Sequence, residues 1–138
     1  MRWLTLIALV MLTGCSQLQQ NANDEAARVA DSVLPEALDD GISHADPAAP
    51  EDRKVAAEDW LSEPRPPLMR SRVGATWEVR GSKGTAIRVD VYQYLESGDF
   101  FPPDQGKATW GVACRIYDVA DAVATSTVEC PDGTPKEP

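Results

Sequence analysis

The chain has 138 residues, room for one domain of ordinary size with a core of its own. Its 22 acidic and 13 basic residues give a net charge of −9 at pH 7. That balance excludes nucleic acid as a partner, because phosphates call for a basic face, and it excludes a polybasic hold on anionic lipid.

Met1-Arg2 is a small cationic start, and Trp3 to Leu12 is almost wholly apolar. About ten apolar residues match the core of a signal peptide and are too few to span a bilayer as a helix. Leu12-Thr13-Gly14-Cys15 then closes the run. This stretch resembles the signal peptide of bacterial lipoproteins, whose lipobox reads Leu-x-Gly-Cys. The resemblance covers the first sixteen or so residues and implies nothing about the fold that follows. It implies cleavage between Gly14 and Cys15, a diacylglyceryl group on the Cys15 sulfur, and residence on the extracytoplasmic face of a bacterial cell membrane. Small side chains beside the scissile bond and a thiol for lipid transfer are what that processing requires. Residues 1–14 hold Arg2 and no acid, so the mature chain keeps 12 basic and 22 acidic residues in 124, a net charge of −10.

With Cys15 taken by lipid, Cys114 and Cys130 remain as an even pair outside the reducing cytoplasm, and such a pair is expected to form a disulfide. A redox-active pair normally reads Cys-x-x-Cys, which is absent. A zinc site needs more ligands than two cysteines and the lone His44. No metal and no cofactor is expected.

Residues 15–23 read as a lipidated, flexible tether, and a single α+β domain is expected over 24–131, helical over 24–62 and mainly β over 70–131. Asn23 or Asp24 can cap a first helix, with Ala26, Ala30, Val33 and Leu34 on one face. Pro35 is expected to break or kink that helix, because it lacks an N–H and crowds the preceding turn. Leu38 and the stop at Gly41 complete a short second segment. Residues 41–50 form a loop that carries His44. A further helix is expected from Pro50-Glu51 to about Ser62, with Val55, Trp60 and Leu61 as its buried edge.

From Ala75 the periodicity falls to two, the mark of strands. Thr76–Arg80 and Thr85–Leu95 flank Gly81-Ser82-Lys83-Gly84. A three-residue turn would set Val79 opposite Ile87, Trp77 opposite Val89 and Glu78 opposite Arg88. Residues 96–106 form a long loop containing Phe100-Phe101, a pair that either pins the loop to the core or forms a recognition patch. Lys107–Val119 and Ser126–Cys130 close the sheet. Pairing Cys114 directly with Cys130 would put Ile116 and Val128 on the inner face, and Arg115 and Tyr117 on the outer one. Residues 132–138 read as a disordered tail.

The expected architecture is therefore N-terminal helices followed by an antiparallel meander of about four strands, with the helices on one face. No nucleophile elbow, phosphate loop, dinucleotide fingerprint or metalloprotease motif occurs, and no catalytic residue is assigned. The tryptophans Trp60, Trp77 and Trp110 are core candidates first and sugar-stacking platforms second. The reading is a membrane-anchored, non-catalytic binding or accessory module for an envelope protein or small ligand. The alternatives are a small roll-fold hydrolase or isomerase using carboxylates, and an acidic inhibitor of a cationic envelope enzyme.

Overall fold

The computed structural model describes residues 17–63, 74–96 and 108–138. Helix α1 runs over residues 17–41, helix α2 over Pro50–Ser62, and four strands follow: β1 Ala75–Lys83, β2 Ala86–Glu96, β3 Ala108–Asp118 and β4 Ala124–Val128. The sheet is a meander in the order β1-β2-β3-β4, antiparallel throughout, as the α+β expectation requires.

Small and branched apolar residues recur every four positions along α1: Ala22, Ala26, Ala30, Leu34 and Leu38, all fully buried. This repeat reaches back into the stretch expected to be a flexible tether, and residues 17–23 are helical instead. Nor does the helix stop at Pro35. A π turn over Val29–Val33 carries it through, with the Leu34 N–H bonded to the Val29 carbonyl five residues back. The wider turn accommodates the proline ring that an unbroken α-helical ladder would exclude. In that register the donor due to the Ala30 carbonyl is Pro35, which has no N–H. The Tyr117 hydroxyl takes its place, donating to the Ala30 oxygen at 2.5 Å.

This bond inverts the faces expected of β3. Tyr117 and Val119 are fully buried, with Ala113 beside them, in the core shared with α1, Ile87, Val89 and Val91. Arg115 is buried on the same face through its 2.6 Å bond to Asp31 of α1. Ile116 takes the opposite face by strand alternation. The paired guanidinium and the satisfied phenol make polar side chains tolerable where an apolar pair was expected.

Both hairpins sit two residues from their expected registers, which preserves each pairing's parity. Val79 faces Val89 and Trp77 faces Val91, with a bulge between Val79 and Gly81. The turn has two residues, Gly84-Thr85, with Gly84 at φ 59°, where a side chain would be strained. Glu78 lies opposite Asp90, not Arg88. The charge balance is made by Arg80, which bonds Glu78 at 2.7 Å and Asp90 at 2.8 Å. In the last hairpin Cys114 faces Val128. Cys130 lies beyond the strand end and closes the disulfide with Cys114 at a Cα separation of 5.2 Å.

Helix α2 buries Arg53, Ala57, Trp60 and Leu61, a helical stripe from which the expected Val55 is absent: Val55 is 56% exposed. Arg53 holds the β3–β4 connection instead, donating to the carbonyls of Val119 and Asp121. Trp60 stacks on Trp77 at 5.9 Å, nearly parallel, and the Trp77 indole donates to the Leu61 carbonyl. Residues 132–138 are not a free tail: the Tyr92 hydroxyl donates to the Pro135 carbonyl, and the disulfide at Cys130 brings the segment onto the face away from the helices.

Replacing Tyr117 with Phe is expected to cost about 1–3 kcal/mol in urea unfolding, since it leaves the buried Ala30 carbonyl without a donor. Burial also pushes the Tyr117 hydroxyl above the ordinary tyrosine value of 10.0. Its contribution is complete below that value and lost as pH rises through the folded-state value. Tyr117→Phe should therefore flatten the fall in stability above about pH 10. Removing the disulfide as a Cys114→Ser, Cys130→Ser pair is expected to lower stability by roughly 3 kcal/mol under non-reducing conditions.

Candidate functional site

Strand β4 pairs with β3 only over Cys114–Asp118. Among the described residues, 108–113 of β3 therefore run on with no strand partner on that side, and an edge of this kind leaves backbone groups to be satisfied by other means. The first turns of α1 close it with carboxamides. Gln19 donates to the Trp110 carbonyl at 2.9 Å and accepts from the Thr109 hydroxyl at 2.6 Å. Asn23 accepts from the Val112 N–H at 3.2 Å and from Gln19 at 3.2 Å. The two amides are four residues apart, so they share a helix face.

Close approach of the helix to the strand depends on Gly111. A Cβ there would lie 2.0 Å from the backbone carbon of Ala22, a clash with main chain that no side-chain rotation relieves. A helix face with Ala22 inward and a strand with glycine opposite it bring the two backbones together.

Beside this junction lies a half-open cleft of about 520 Å³, whose described lining includes Gln19, Asn23, Tyr94, Trp110, Lys136 and Glu137. The volume falls within the roughly 300–1,000 Å³ of small-molecule sites. Tyr94 and Trp110 are a cross-strand pair with ring centroids 5.1 Å apart and planes inclined at 58°. The Tyr94 hydroxyl donates to Glu96 at 3.0 Å, which holds its pKa above the ordinary tyrosine value, with burial and the carboxylate charge adding to the shift. Gln19 and Asn23 are oriented by their strand bonds, so the cleft wall is built before any ligand arrives. The Asn23 side-chain nitrogen, the Trp110 indole N–H and the Lys136 ammonium have no protein acceptor among the described residues.

A second cluster lies on the same sheet face. Asp90 is fully buried and bonded by Arg80 at 2.8 Å and Arg88 at 3.1 Å. Arg80 also donates to the Tyr92 hydroxyl, and bonds to Tyr92 and Asp90 raise its pKa. Arg80 pairs with both Glu78 and Asp90, and Arg88 pairs with Asp90, so the buried carboxylate is charge-paired.

Of the residues singled out in the sequence, Cys114 and Cys130 are brought together. Gly14, Cys15, Phe100 and Phe101 lie outside the described residues. His44 is exposed, Trp60 and Trp77 are in the core cluster or packed on it, and Trp110 alone of the three lines the cleft. Gln19, Asn23, Lys136 and Glu137 were not legible as site residues, because their segments read as tether and tail. The available signal was Ala22, which continues the four-residue repeat of Ala26 and Ala30. Among the described residues, no group of three or more His, Cys, Asp or Glu could hold a metal ion. Comparison with protein families, curated proteins and solved structures finds no match to this chain.

Replacing Gly111 with Ala is expected to force α1 off β3 and destabilise the protein by about 1–3 kcal/mol. Amide exchange should report the change locally, as loss of protection at Val112.

Proposed function

We propose that this protein is a lipid-tethered, extracytoplasmic binding module whose ligand site is the cleft between α1 and the open end of β3. The single observation that carries the binding role is the preformed cleft, with its fixed carboxamides, its paired aromatic rings and its uncommitted donors. Carboxamides and indoles bind and orient; at neutral pH they neither attack nor transfer protons. The tether rests on the Leu12-Thr13-Gly14-Cys15 sequence. Among the described residues, no helix is long and apolar enough to cross a membrane.

Helix α1 is already formed at residue 17, two positions after Cys15. Gln19 is four residues from the lipidated position, at most about 14 Å even along extended chain. A lipid on Cys15 therefore holds the cleft within reach of the membrane surface. In this reading the protein contacts neutral or polar ligands at that surface, and its acidity keeps it soluble there.

Cells fed a radiolabelled fatty acid test the tether. The native chain is expected to be labelled and to sediment with membranes, and Cys15→Ser to be unlabelled and released. A Cys15→Ser chain that is still labelled, or still sediments with membranes, would sink the reading. Thermal shifts across a panel of envelope metabolites test the binding role: the native chain should be stabilised by at least one of them, Trp110→Phe should lose that shift while fractionation stays unchanged, and a flat panel would overturn the role.

A further inference from the structure

The lining of the cleft restricts the chemistry of the ligand it can hold. We infer that the cleft binds a neutral sugar bearing an acetamido group. This rests on the reading of the cleft as the ligand site, and it adds the chemical class.

Three observations converge on that class. The first is charge. Lys136 and Glu137 are adjacent and both line the cleft, so their formal charges cancel locally. The chain as a whole carries −9, which repels anions at long range. A phosphate or carboxylate ligand would need a net cationic lining, and a cationic ligand would meet the Lys136 ammonium.

The second is the hydrogen-bonding inventory. Gln19 and the oxygen of Asn23 are committed to β3. Among the described residues, the groups left over are donors at Asn23, Trp110 and Lys136, with the Glu137 carboxylate as acceptor. Such a set suits a ligand with a strong carbonyl acceptor and several hydroxyls. An acetamido carbonyl accepts from an amide N–H, and sugar hydroxyls both donate to a carboxylate and accept from an ammonium.

The third is the aromatic pair. Tyr94 and Trp110 are tilted against each other at 58° and both line the cleft. The π face of an indole is negative, and the C–H groups of a sugar ring are weakly positive, so the ring stacks there while its hydroxyls reach the polar wall. A fully apolar ligand would leave the Asn23 and Lys136 donors desolvated and unpaired, which is costly.

The test uses the full chain in a zwitterionic, sugar-free detergent, titrated with the disaccharide of N-acetylglucosamine. Trp60 and Trp77 are stacked on each other at the core and Trp3 belongs to the candidate leader segment, so the part of the signal that Trp110→Phe removes is the report from the cleft. The expected result is a saturable change in tryptophan fluorescence that Trp110→Phe removes. Calorimetry should show binding weakened roughly tenfold or more for a glucose disaccharide that lacks the acetamido groups. Glu137→Gln should weaken the N-acetylglucosamine disaccharide at least about threefold. Near-UV dichroism of the Trp60–Trp77 stack checks that each variant is folded. If Trp110→Phe does not fold, Glu137→Gln and Lys136→Ala decide by calorimetry, and unchanged affinity in both overturns the assignment. No saturable binding by the wild type, a fluorescence response that survives in folded Trp110→Phe, or competition by inorganic phosphate also overturns it. Phosphate binding with Cys15-dependent anchoring intact removes the sugar and leaves the tethered module. Sugar binding with anchoring independent of Cys15 removes the tether and leaves the sugar site.

Discussion

The hydrogen bond from Tyr117 to the Ala30 carbonyl is the contact on which the arrangement of helix and sheet depends. It exists because a proline sits in a helix that nonetheless continues. The π turn moves the Leu34 N–H back to Val29, Pro35 has no N–H to give, and the Ala30 oxygen would otherwise be buried without a donor. The phenol that supplies one stands on β3, so the helix and the central part of the sheet are joined at one azimuth. The Arg115–Asp31 ion pair, one residue along the helix and two along the strand, holds the same orientation. Once α1 lies this way, its first turns reach the part of β3 that β4 leaves uncovered.

Edge protection and the candidate site are consequences of the same geometry. Strand β4 is five residues long against the eleven of β3, so it cannot cover the whole edge. Gln19 and Asn23 do by side chain what another strand would do by backbone. Gly111 makes that reach possible by letting the backbones touch. From the other end of the chain, the disulfide and the Tyr92–Pro135 bond carry the C-terminal segment across the opposite sheet face, and it arrives at the same cleft with Lys136 and Glu137. Gln19 and Asn23 thus share one cleft with Lys136 and Glu137.

The sheet is therefore covered on both faces by different means. The helices bury an apolar face in the ordinary way. The other face buries Asp90, Tyr92 and Cys114, and its polar members are tolerated because two arginines and a backbone carbonyl satisfy them. A buried carboxylate of this kind defines register more than it adds stability. It explains why β1 and β2 pair with Glu78 opposite Asp90: Arg80 mediates between two like charges that would otherwise repel.

Local pattern was enough for the classes and order of the elements. Apolar spacing marked the helices, alternation marked the strands, Gly84 marked the first hairpin turn, and the even cysteine pair marked the disulfide. The candidate leader, with Gly14 and Cys15, is likewise a matter of local sequence. Parity of register was also legible, because alternation distinguishes the two faces of a strand but not a slip of two residues. Tertiary structure decided which face of β3 is inward, because Tyr117 and Arg115 are polar by composition and become core residues only when α1 presents Ala30 and Asp31 to them. It decided that Pro35 is passed by a π turn, since the carbonyl left over needed a donor 87 residues away. It alone assembled the cleft, because Gln19 and Trp110 are 91 residues apart in sequence and no local pattern records that a strand outruns its partner.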